Sequence, residues 1–135
     1  MLIVLYQVFG DAFGGVPVHV LGTDISTKIR AEAEQVKFRP HALAQTAPQR
    51  VSRYFEEDAE KDDYTFDRDL RGHVRFEQHH LLDRLRQLRP FDAIFIRNVM
   101  IYIDQESRER VLEHACSTLR PGGLLIAGAS TAAFS

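Results

Sequence analysis

Asp24 stands where a run rich in β-branched residues, 16–23, gives way to Ile25 and Ser26. An acid at the carboxyl end of a strand in an open α/β sheet accepts hydrogen bonds from both hydroxyls of a ribose. Asp24 and Ser26 are equally the residue types that cap a helix and satisfy its free amides, so spacing alone leaves both readings open. A second apolar run, 91–96, ends in Arg97, Asn98 and Val99, with Tyr102 close behind. Strand ends of this kind are where such sheets hold small ligands. The alternative for Arg97 is a surface anchor, for Asn98 a turn residue, and for Tyr102 a packed aromatic with its hydroxyl at the surface. His79 and His80 are adjacent, but neighbours on a strand point to opposite faces and do not easily share an ion. No metal site is expected.

The elements that would carry these groups alternate. Residues 16–23 follow Gly14-Gly15 and read as a strand, and Ser26 caps a helix running to about residue 35. Residues 48–55 carry a short helical pattern opening at Pro48, while 56–63 hold six carboxylates and read as a solvated acidic loop. Residues 64–66 and 73–77 alternate apolar and polar as half-buried strands do, able to pair as a small antiparallel unit across a turn at 68–72. Residues 91–96 have the continuous apolar character of a strand buried on both faces of a parallel sheet. Asp104 opens a helix over 105–118, and Pro121-Gly122-Gly123 stops it before a strand at 124–127. Alternation of this sort predicts an α/β fold, a doubly wound sheet with helices on both faces. Residues 1–13 are ambiguous between a helix and a strand over 2–9.

A chain of 135 residues with 44% hydrophobic content suits a single domain. Its net charge of −2 and pI of about 6.3 argue against a general affinity for nucleic acid or anionic membranes. Arg84, Arg86 and Arg89 read as a solvated helix face. A single cysteine, Cys116, supports no disulfide framework and fits a reducing cytoplasm. Residues 1–13 lack a basic leader, are interrupted by Gln7, Gly10 and Asp11, and are too short to span a bilayer, so no membrane insertion is expected.

Three segments together resemble the cofactor domain of the chemotaxis receptor methyltransferases, the CheR family: Thr23-Asp24-Ile25-Ser26, the stretch from Arg97 through Tyr102, and Pro121-Gly122-Gly123. The resemblance covers roughly residues 18–130. It implies a Rossmann-like class I methyltransferase sheet, incomplete in this chain, with an insert over about 37–77 similar to the family's small receptor-binding β-subdomain. It implies S-adenosylmethionine as cofactor and the cytoplasmic region of a chemoreceptor as partner. In that reading Asp24 meets the ribose with Ile25 beside it, His80 and Leu81 lie at the adenine, Arg97, Asn98 and Val99 approach the cofactor, and Tyr102 borders the glutamate substrate. His80 occupies the place of the family's asparagine. An imidazole donates or accepts one hydrogen bond at a time and lacks the flat amide's pair, so adenine recognition should be altered there.

The family's glycine-rich loop, N-terminal helical domain and final hairpin would all lie outside these residues, and Gly128-Ala129-Ser130-Thr131 stands where the family has Gly-His-Ser-Glu. The strand expected between those ending at Asp24 and Arg97 is also missing, and unpaired buried backbone groups cost on the order of 1–3 kcal/mol each. Insertion of residues 2–9 as that strand, strand exchange in a homodimer, or membership of a longer protein would each fill the gap. Two functions compete on this footing. One is methyl transfer to receptor glutamate side chains, and the other is a catalytically silent module that grips a receptor tail by strand addition. A different nucleotide-binding domain is disfavoured because no Gly-x-Gly-x-x-Gly loop is present.

Overall fold

The computed structural model describes residues 1–10, 15, 17–85 and 89–128. Its contacts divide it into two units, Met1–Gln78 and His79–Ser135.

In the first unit Leu2–Phe9 is a helix (α1), which resolves the ambiguity at the start of the chain and removes insertion of these residues as a strand. Leu2 is buried, and Ile3, Leu5 and Tyr6 pack beside it at helical spacing. The helix ends at Gly10, whose φ of +52° is a conformation that glycine adopts without steric penalty. Val20–Asp24 (β1) begins later than expected, and Ser26 caps Thr27–Glu34 (α2) by accepting a hydrogen bond from the Ile29 amide. The alternation of strand and helix then gives way to a three-stranded antiparallel sheet, ordered Lys37–Phe38 (β2), Asp63–Phe66 (β4), Phe55–Asp58 (β3). A 3₁₀ turn at Pro40–Leu43 and a helix at Pro48–Tyr54 (α3) lie between β2 and β3 in the chain.

Two expectations are corrected here. Half of the acidic segment 56–63 is strand and only 59–62 form a turn; β3 is an outer strand of its sheet and leaves the Glu56 and Glu57 side chains in water. Residues 64–66 and 73–77 do not pair with each other. Asp67 accepts hydrogen bonds from the Asp69 and Leu70 amides and starts a helical turn, Arg68–Arg71 (α4), where a tight reversal would be needed; Leu70 is buried there. Val74–Gln78 (β5) instead lies parallel to β1, with Gly22 opposite Phe76 and Asp24 opposite Gln78.

Leu2, Val18, Tyr54 and Leu70 form the first unit's core, with Val20, Phe55, Phe66 and Val74 against it. Burial of an aliphatic side chain of this size contributes about 1.5–3 kcal/mol. Tyr6 meets Tyr54 edge-on at 6.0 Å between ring centres, and Phe55 bridges Phe38 and Phe66. Gly22 permits the close approach of β5: a Cβ there would lie 2.7 Å from the Phe76 ring. Gly22→Ala should cost about 1–3 kcal/mol by overpacking, read as a lower midpoint of urea unfolding. The added Phe76→Ala should recover part of it, and an unchanged midpoint in the single variant would show that the ring moves aside freely.

The second unit holds Phe91–Ile96 (β6) parallel to Leu119–Ala127 (β7), with Gln105–Thr118 (α5) between them in the chain. The Pro121-Gly122-Gly123 segment is a register shift inside β7, since Phe91 pairs Leu119 while Ala93 pairs Leu124. Ile96, Met100 and Val111 form this core, with Ile94, Leu112, Ala115 and Leu125 packed around them. Residues 91–96 were expected to be covered on both faces. Ile94 and Ile96 are packed, but Phe95, Leu124 and Ile126 are exposed.

Candidate functional site

The first group of expected site residues sits where β1 and β5 end side by side. The Asp24 Oδ1 accepts the Ser26 amide at 2.7 Å, turning the chain so that Ser26 can cap α2. Its Oδ2 has no hydrogen-bond partner among the described residues. Capping and ligand binding are therefore compatible, one oxygen for each. Ile25 is exposed, and the Gln78 side-chain amide donates to its carbonyl at 3.0 Å, tying the end of β5 to the loop after β1. Gln78 was missed in the sequence because its relation to Asp24 depends on the parallel pairing of 20–24 with 74–78.

The remaining six lie in the second unit. His79 and His80 follow the end of β5, so the argument from alternating strand faces does not apply to them. His80 heads a turn in which its carbonyl accepts the Asp83 amide at 2.8 Å and its Nδ1 accepts the Leu82 amide at 3.3 Å. That bond puts the proton of a neutral ring on Nε2, leaving one donor. Leu81 and Leu82 pack against Ile96, Met100 and Val111. No group of three or more His, Cys, Asp or Glu is arranged to hold a metal ion among the described residues.

Beyond Ile96 the chain turns sharply through Asn98, whose φ of +56° is a left-handed conformation that asparagine tolerates better than most residues. A 3₁₀ turn follows at Met100–Tyr102, closed by the Tyr102 amide donating to the Val99 carbonyl at 3.0 Å. Met100 is buried, whereas Arg97, Asn98, Val99 and Tyr102 are exposed, Tyr102 at 81%. Two anchors, Ile96 and Met100, thus hold a polar loop at the carboxyl end of β6. Gly128 passes close by, its amide donating to the Ile96 carbonyl at 2.8 Å.

Asp104 fixes the far end of this loop. Its carboxylate accepts the Ser107 amide at 2.8 Å and the Ser107 hydroxyl at 2.9 Å, and these bonds hold its pKa below the ordinary carboxylate value. A depressed folded-state pKa contributes stability that is present above the unfolded-state pKa and lost as pH falls through the folded one. The melting temperature of Asp104→Asn, which keeps an N-cap acceptor but cannot ionise, should fall less than that of the parent between about pH 5 and about pH 2. Parallel curves would remove Asp104 from the acid transition.

The profile of the CheR methyltransferase, SAM binding domain family matches residues 1–135. The chain belongs to the CheR family. It is 35% identical over 125 residues to the chemotaxis protein methyltransferase of Salmonella typhimurium, covering 89% of this chain and 43% of that protein. With the chemotaxis protein methyltransferase of Klebsiella aerogenes it shares 37% identity over 126 residues, 90% of this chain and 43% of the relative. The Escherichia coli protein of the same description is 34% identical over 125 residues, 89% and 44% of the two chains. The chain therefore spans less than half the length of these curated CheR relatives.

The mixed α/β architecture with parallel strand pairs agrees with a Rossmann-like CheR domain. The family's ligand is S-adenosylmethionine. In the first unit Asp24 offers a carboxylate oxygen at a parallel strand end, a type that accepts from ribose hydroxyls; in the second, His80 offers a ring donor. Asp24 and Ile25 belong to the first unit and His80, Leu81, Arg97, Asn98, Val99 and Tyr102 to the second.

Proposed function

We propose that this CheR chain supplies the S-adenosylmethionine-binding part of a protein-glutamate O-methyltransferase acting on the cytoplasmic region of chemoreceptors. The observation that carries the reading is the unshared Asp24 Oδ2 at the end of β1, in a chain matched throughout by the CheR SAM-binding profile. When bound, S-adenosylmethionine brings a methyl group already activated by its positive sulfur, so positioning matters more than acid or base help. Asp24 accepts from the ribose hydroxyls, with Ile25 flanking them. His80 donates through Nε2 at the adenine edge, beside Leu81. Arg97, Asn98 and Val99 would border the cofactor, and Tyr102 would orient the receptor glutamate to which the cofactor would supply its methyl group, the sulfonium leaving as the neutral thioether.

No helix among the described residues is long and apolar enough to cross a membrane. A cytoplasmic location follows in this proposal from the partner, since the methyl-accepting region of a chemoreceptor faces the cytoplasm. β1 and β6 each have a ladder partner on one side only among the described residues, which leaves room for strand exchange in a homodimer; light scattering of the purified chain tests it.

Isothermal calorimetry with S-adenosylmethionine and with its demethylated product tests the cofactor reading directly. Saturable heat for both supports it, and absence of heat at about millimolar ligand, where binding free energy would be weaker than about −4 kcal/mol, would overturn it.

A further inference from the structure

Gln78 closes β5 directly opposite Asp24 in the parallel ladder, and its side chain is exposed. Its Nε2 donates to the Ile25 carbonyl at 3.0 Å. A carbonyl oxygen only accepts, so this contact fixes which end of the amide is which and holds it against the flip open to a free glutamine side chain. Ile25 takes one of the two Nε2 hydrogens. The other hydrogen and the Oε1 lone pairs have no hydrogen-bond partner among the described residues. What remains is a flat donor and acceptor pair of fixed order, at the strand end that also carries the unshared Asp24 Oδ2 and the exposed Ile25.

Adenine presents its 6-amino donor next to a ring acceptor on either side, N1 or N7, and a glutamine amide pairs with that pattern by two hydrogen bonds. His80 cannot do this. Its Nδ1 already accepts the Leu82 amide, so the neutral ring keeps only a donor, which suits a ring nitrogen but accepts nothing from the amino group. Hypoxanthine, in which a carbonyl replaces the amino group, would set an acceptor against the Gln78 Oε1. A free amide would turn over to meet it, whereas the Ile25 carbonyl keeps this one in place.

We infer that Gln78 is the residue by which this chain selects adenine: its Oε1 accepts from the 6-amino group, its free Nε2 hydrogen goes to the neighbouring ring nitrogen, and the Ile25 carbonyl fixes the order of the pair. The inference rests on the cofactor reading of Asp24 and adds to it the choice of base. Gln78 thus has two tasks, tying β5 to the loop after β1 and reading the amino group.

The test is calorimetric titration of the whole 135-residue chain with S-adenosylhomocysteine and with S-inosylhomocysteine, which differ only in the base. The parent should bind the adenine compound at least about tenfold more tightly. Gln78→Leu should lose at least about fivefold in affinity for it and bind the two ligands within about twofold of each other. Gln78→Lys keeps a donor for the Ile25 carbonyl but has no acceptor, so it should reverse the preference in favour of the hypoxanthine carbonyl. Because each preference is a ratio taken on one variant, a general loosening of the loop cancels from it. Equal affinities in the parent, a preference that survives in both Gln78 variants, or one that His80→Ala abolishes and Gln78→Leu does not, would overturn the inference. Binding of S-adenosylhomocysteine that is indifferent to Gln78 overturns this inference alone, whereas a parent that binds neither ligand overturns the cofactor reading and the inference with it.

Discussion

Asp24→Asn should weaken S-adenosylmethionine binding by about 10- to 150-fold, the equivalent of about 1.5–3 kcal/mol for one hydrogen bond to a charged acceptor. Asparagine keeps a side-chain oxygen for the Ser26 amide, now accepted by Oδ1 at 2.7 Å, so the turn into α2 survives. What changes is the second oxygen, which becomes a donor and loses its charge. A ribose hydroxyl that donated its hydrogen bond to the carboxylate then faces an amide NH2 that cannot accept it. The measurement is calorimetric affinity beside a thermal melt. A large loss of affinity with an unchanged melting temperature assigns Asp24 to the ligand, and unchanged affinity returns it to capping alone.

The second large effect is structural. Val111→Asp should destabilise the second unit by at least about 3 kcal/mol, because a carboxylate would be buried without a partner. Val111 is 2% exposed and shares its core with Ile96 and Met100, the two anchors of the loop that carries Arg97 through Tyr102. Loss of that core should release the loop, so amide exchange at residues 97–102 should rise together with exchange in α5. Val111→Ile, which stays apolar, should leave both protected. Protection of 97–102 in the aspartate variant would mean that something other than this core holds the loop.

Three helices were legible from a start signal at their own first turn, although the capped turn of α4 was read as a reversal. Ser26 begins α2, Pro48 begins α3 and Asp104 begins α5, and in each case the signal and the structure it specifies lie within one turn. Strand partners were not legible in the same way. Residues 73–77 alternate as a strand must, but backbone ladder bonds do not depend on side-chain identity, and the choice of β1 over β4 was decided by the Asp67 turn and by burial of Leu70. The acidic character of 56–63 suggested a loop because carboxylates want water, and an outer strand supplies water as well as a loop does. For the candidate site, the loop from Arg97 through Tyr102 could be read because its polar residues interrupt an apolar run. Gln78 could not, since its place beside Ile25 appears only once β1 and β5 are paired.

Phe95, Leu124 and Ile126 lie uncovered on adjacent parallel strands. An uncovered apolar face of this kind favours association between copies. Phe95→Lys, which puts a charge on it, should therefore lower the light scattered by concentrated solutions of the chain, and unchanged scattering would show that this face drives no association.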